Sequence, residues 1–163
     1  VSGFVFPPQN TDADAPPAEA AGLVKGDGFW PDININDVRD VVRLDTTITP
    51  ARLRDAVRQA MLDIAAALAN WRASQEAAGA STLSDVPSRM KVDGVSDYVL
   101  RWSRAVYSVV GADLGERLAS QSATAAGVDR AQALGQDVLV HQRNVSFAVR
   151  DFLGRPRIRA RMI

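Results

Sequence analysis

The chain has no cysteine and one histidine, and its 19 Lys+Arg are balanced by 19 Asp+Glu. Without cysteine there is no disulfide, no thiolate zinc site and no cysteine nucleophile, and the redox compartment is left open. A net charge of zero gives the whole molecule no field that would steer it toward nucleic acid. Long apolar runs are also missing. The longest in the helical part, Ile64 to Ala69, is far too short to span a membrane. Val1 to Phe6 is apolar but lacks a basic flank and is too short for a signal peptide. A soluble, unsecreted protein with no membrane partner is expected. Gly26 and Gly28 lack the strand and helix context that would make a phosphate loop.

Catalytic groups are equally sparse. His141 lies on the apolar stripe of a helix, beside Gln142 and Arg143, which are poor partners for metal or proton chemistry. Ser146 is off its helical face, so no nucleophile spacing appears. The carboxylate pairs Asp12 with Asp14 and Asp37 with Asp40 fall on segments read as mobile or solvated. The residues therefore argue against an enzyme, a metal or a cofactor.

What is present is helix. With 163 residues, 47% hydrophobic and 23% charged, the chain has the size and composition of one globular domain. The stretch Thr49 to Ala78 organises it. Thr49 suits an N-cap and Pro50 the first helical position. Apolar residues recur at 53, 57, 60, 61, 64, 68 and 71, a stripe about five turns long. Gly79 supplies the stop. Other helices must cover such a stripe.

Around it the spacing predicts three more helices: a short one from Asp37 to Leu44 capped by Asn36, one opened by Ser96, and one from about Val128 to Leu153. The third carries Val99, Trp102, Val106, Val109, Val110, Leu114 and Leu118; the fourth carries Ala131, Leu134, Val138, His141, Val145, Val149 and Phe152. Gly111 and Gly115 form a small-residue face, read as close helix packing in preference to dimerisation. The predicted core is Leu53, Val57, Met61, Ile64, Leu68, Trp102, Val106, Val110, Val138, Val145 and Val149. The fold class is thus all-α, a bundle of about four helices at 29–153, with an extended N-terminal arm at 1–28 and an extended C-terminal arm at 154–163.

Four stretches carry the functional signal. Residues 1–28 are rich in Pro, Gly, Ala and Asp, as in a loose or partner-ordered arm. Phe29 and Trp30 either plug one end of the core, the preferred reading, or anchor a neighbouring subunit. Gly79 to Val95 is a long connection that Leu83 and Val86 could pin to the bundle. Finally, Arg155-Pro156-Arg157-Ile158-Arg159-Ala160-Arg161-Met162-Ile163 alternates with period two, the pattern of an extended strand. Alternating arginines are costly to bury on their own molecule. Such a tail is expected to bind another chain by strand addition or in an acidic groove, which points to an assembly protein.

Six segments follow one another in an ordered set: Phe29-Trp30-Pro31-Asp32-Ile33, Thr47-Ile48-Thr49-Pro50-Ala51-Arg52-Leu53-Arg54, Ala77-Ala78-Gly79, Leu83-Ser84-Asp85-Val86-Pro87, Arg104-Ala105-Val106 and Gly154-Arg155-Pro156-Arg157. Together they resemble the head completion/stabilisation protein family (GPL) of temperate contractile-tailed phages, over Phe29 to Ile163. The resemblance implies a non-enzymatic virion protein added after DNA packaging. It implies a head–tail adaptor: a homo-oligomeric ring, commonly dodecameric, beneath the portal protein, offering the tail terminator or neck protein its attachment site. DNA would pass through the ring without sequence-specific binding. Localisation would be the virion neck, and the host cytoplasm during assembly. The family brings no catalytic residues. Its Gly-x-Pro-Arg match places Gly154, Pro156 and Arg157 at the start of the arm. The arm's candidate portal or neighbour contacts are Arg155, Pro156, Arg157, Ile158, Arg159, Arg161, Met162 and Ile163; the further arginine alternation is not a family signature. The alternative is a nucleic-acid-binding protein using this basic tail, opposed by the zero net charge and the lack of a DNA-binding pattern.

Overall fold

The computed structural model describes residues 22–44, 48–121 and 125–156, and their side chains except those of 118–121 and 125–136. Among them are five α-helices and two two-stranded ribbons of minimal length. The elements in order are β1 (Leu23–Val24), β2 (Ile33–Asn34), α1 (Ile35–Val42), α2 (Pro50–Ala67), α3 (Ala69–Ala77), a 3₁₀ turn (Leu83–Asp85), β3 (Lys91–Val92), β4 (Val95–Ser96), α4 (Asp97–Gln121) and α5 (Ala125–Phe152). The protein is mostly helical, as its periodicity predicts. α4 lies at the centre, with α5 and α2 as its most extensive neighbours.

The long helix begins as the sequence predicts. The Thr49 hydroxyl accepts from the Arg52 N–H at 3.3 Å, and Pro50 occupies the first position. It does not run unbroken to Ala78. Leu68 departs from helical geometry at φ −104° and ψ 7°, dividing α2 from α3. No glycine or proline marks the break, so propensity gave no warning. Leu68 is fully buried, and tertiary packing sets the break. α3 then ends in a Schellman cap: Gly79, at φ 98°, donates to Glu76 O and Ala80 donates to Gln75 O.

The first helix starts two residues before its predicted position. Asn34 is the N-cap, accepting from the Asn36 N–H at 2.9 Å, where Asn36 itself was expected to cap. The reason is β2: Asn34 is still extended and pairs with Leu23, so the strand runs directly into the cap. Of the expected arm, residues 22–28 are described: Val24 is buried, and the Leu23 carbonyl accepts from Arg54 of α2 at 2.9 Å; residues 1–21 lie outside the described ones.

The 79–95 connection has structure of its own. Thr82 and Asp85 form a reciprocal capping box over the 3₁₀ turn. Leu83 and Val86 are buried, as expected of pins, and the Leu83 N–H donates to the Phe29 carbonyl at 2.9 Å. Asp93 and Gly94, both at positive φ (51° and 77°), turn β3 into β4. A two-residue hairpin turn of this hand is what Asp-Gly favours.

Of the predicted core, Leu53, Val57, Met61, Ile64, Leu68, Trp102, Val106, Val110 and Val138 are buried. Val145 and Val149 are half-buried against them. The side chains of Leu118, Ala131 and Leu134 are outside the described set. The small-residue face is a helix–helix contact within this chain. A Cβ on Gly111 would sit 2.7 Å from His141 Nε2, and one on Gly115 would sit 2.8 Å from Val138 Cγ2. His141 thus rests over Gly111 as a packing residue. Gly111→Val/Gly115→Val should wedge α4 from α5 and cost about 2–5 kcal/mol, read by urea unfolding. Wild-type stability in this double variant would show that the helices have room to spare.

Candidate assembly interface

Aromatic residues are only 6% of the chain, yet six of them gather at one end of the bundle. Trp30 stacks on Trp102 with centroids 4.3 Å apart and planes 9° apart. It also meets Phe29 edge-on at 5.0 Å, Trp71 at 6.3 Å and Phe152 at 6.4 Å. Tyr98 closes the group, 5.3 Å from Trp71 and 5.6 Å from Phe152. The cluster joins the 29–31 segment to α3, α4 and α5. The Trp102 indole N–H donates to Pro31 O at 3.3 Å. Phe29 and Trp30 are buried at 3% and 4% exposure. Both rings pack within this chain, at the position a core plug would take.

Asp27 fixes the approach to this plug. Its carboxylate accepts from the N–H groups of Phe29 and Trp30, both at 3.2 Å, and pairs with Arg72. The Arg72 guanidinium also lies 4.8 Å over the Phe29 ring. Partial burial pushes the Asp27 carboxyl up. The Arg72 bond and charge, with the two backbone donors, outweigh this and hold it below its ordinary 3.8. Folding thus favours the ionised form, a contribution present above the ordinary value and lost as acid protonates the folded carboxylate. Asp27→Asn should lower the melting temperature at pH 7, with the difference narrowing once the pH falls below the ordinary carboxylate value of 3.8. An equal difference above and below that value would refute the charged role.

The C-terminal segment leaves from the same end. α5 stops in a Schellman cap: Gly154, at φ 62°, donates to Asp151 O, and Arg155 donates to Arg150 O at 2.9 Å. The Arg150 Nε–H then holds the Pro156 carbonyl at 2.8 Å. The backbone of Arg155 and Pro156 therefore belongs to the helix cap, while their side chains are exposed. Arg157, Ile158, Arg159, Arg161, Met162 and Ile163 lie outside the described residues. Beside this exit, Arg101 bridges Asp97 and Asp151, tying the start of α4 to the end of α5.

Among the surface depressions along α4, two lie between it and other helices or the ribbon away from the aromatic cluster. One, of about 270 Å³, lies between the β3–β4 ribbon and the α4–α5 pair, beside exposed Met90, Val92 and Leu100. The other, about 580 Å³, runs between α2 and the second half of α4. Its α2 wall carries the exposed row Asp55, Gln59 and Asp63. From sequence alone this row has no assigned role. The signal was the four-residue spacing of acceptors beside an apolar floor. Among the described residues no group of His, Cys, Asp or Glu is arranged to hold a metal. No described helix is long and apolar enough to cross a membrane.

Over 141 residues the chain is 36% identical to the head completion/stabilization protein of Escherichia phage P2, covering 86% of this chain and 83% of that protein. No solved structure gives a significant match. Residues 24–163, from the buried Val24 of β1 to the last residue, match the family described as phage head completion protein (GPL), and the chain belongs to that family.

Proposed function

We propose that this head completion protein acts as a head–tail adaptor. Copies form a dodecameric ring beneath the portal that stabilises the DNA-filled head and presents the tail attachment site. Its partners are then other copies of itself, the portal protein, and a tail terminator or neck protein, with DNA passing through the ring. The site of action is the virion neck, reached from the host cytoplasm during assembly. Family membership supports the head-completion role. The observation that carries the adaptor reading is the C-terminal end of the bundle: α5 closes in a helix cap over Gly154 to Pro156, and the sequence continues with seven arginine-alternating residues, 157–163. In this reading that segment, with the exposed side chains of Arg155 and Pro156, lies on a neighbouring copy or on the portal. Many such arms in one ring add up although each exposed ion pair is weak.

Negative-stain imaging of necks from particles made with and without the protein tests this. A ring of density between portal and tail, present only with the protein, is expected. Density elsewhere on the head, with an unchanged neck, would overturn the reading. A free DNA-binding role would instead show as salt-dependent binding of the purified chain to duplex DNA.

A further inference from the structure

We infer that the groove between α2 and α4 receives residues 157–163 of a neighbouring copy; this rests on the adaptor reading and names the receiving surface. The first argument is spacing. Asp55, Gln59 and Asp63 recur every four residues on α2, which places successive acceptors about 6 Å apart. Arg157, Arg159 and Arg161 recur every second residue, about 6.6–6.8 Å apart when extended. An extended arm laid along α2 therefore sets each guanidinium against one acceptor in turn. The opposite face of the arm offers Ile158, Ala160 and Met162 to the groove's floor of Ala56, Ala60, Val109 and Leu114.

Charge points the same way. The groove is lined by the carboxylates Asp55, Asp63 and Asp113 and the guanidiniums Arg52 and Arg117. Asp55 and Asp63 are exposed and form no ion pair among the described residues. Gln59 donates to Asp63 at 2.8 Å, which leaves its own amide oxygen to accept. The second depression, beside Met90, is a poorer host. Arg101 and Arg104 line it, and Arg101 already occupies its acids Asp97 and Asp151.

Reach decides between this copy's arm and another's. The arm leaves beside Phe152, which touches Tyr98 near the start of α4. From Tyr98 to Asp113 the helix rises about 22 Å. Seven extended residues span about 23 Å. The whole arm would be consumed along the helix axis, leaving nothing to pass from the α5 side to the α2 side. A neighbouring subunit meets no such limit.

The absence of cysteine supplies the experiment. Particles are assembled with the full chain carrying Gln59→Cys and Arg159→Cys, and oxidised mildly. Intermolecular disulfides should give a ladder of multimers on a non-reducing gel. Adding Asp55→Lys and Asp63→Lys should lower the crosslinked fraction about fivefold or more, with the circular dichroism of the chain unchanged. A crosslink confined to the monomer, or none in particles that contain the protein, would overturn the groove assignment. If removal of residues 157–163 still abolishes function in that case, the arm acts elsewhere and the adaptor reading survives; if removal is harmless, both fall.

Discussion

Replacing Trp30 with alanine should remove about 3–5 kcal/mol of folding stability, a large part of what a domain of this size possesses. The ring is 4% exposed and is the one member of the aromatic cluster in contact with Phe29, Trp71, Trp102 and Phe152. Truncation leaves a void at the centre of the group and undoes the stack on Trp102. It also frees the 29–31 segment, whose carbonyls at Phe29 and Pro31 hold the Leu83 N–H and the Trp102 indole. Urea unfolding of the purified chain, followed by far-UV circular dichroism, measures the loss. Trp30→Phe should lose less, because a smaller ring still meets Trp102. A cost under about 1 kcal/mol for the alanine variant would mean that Trp30 acts outside its own fold, as an intersubunit anchor would.

Truncation after Pro156 should have the opposite profile. Helix content and melting temperature should match the full chain, while DNA-filled heads fail to be stabilised. Cutting at 156 and not at 154 matters. The Arg155 N–H and the Pro156 carbonyl complete the end of α5, so removing them would confuse loss of a helix cap with loss of the arm. Complementation of a phage lacking the protein, scored as DNA-containing heads, reads the effect. Full complementation by the truncated chain would make residues 157–163 a spectator. A drop of many degrees in melting temperature would show that they belong to the chain's own fold.

The helices could be read because their signals are local. Thr49-Pro50 sets a start, Gly79 and Gly154 set stops, and the stripe between them fixes a buried face. The break at Leu68 had no such signal, since it depends on where α3 must go for Trp71 to meet Phe152. The short ribbons also escaped notice, although Asp93-Gly94 was a local cue for one of them. Two residues a side are too few to show an alternating pattern. Phe29 and Trp30 stood out as adjacent aromatics, but adjacency cannot say which chain's core receives them. Asp55, Gln59 and Asp63 were visible in sequence and had no meaning until α4 supplied the other wall.

The clustering of all three tryptophans has an optical consequence. Their indoles lie within 6.3 Å of Trp30, so tryptophan fluorescence from this chain samples one end of the molecule. An event confined to the α2–α4 groove should be nearly dark to them. A change in emission when copies assemble would place a new contact beside the exit of the C-terminal segment, and silence during assembly would place it at the far end.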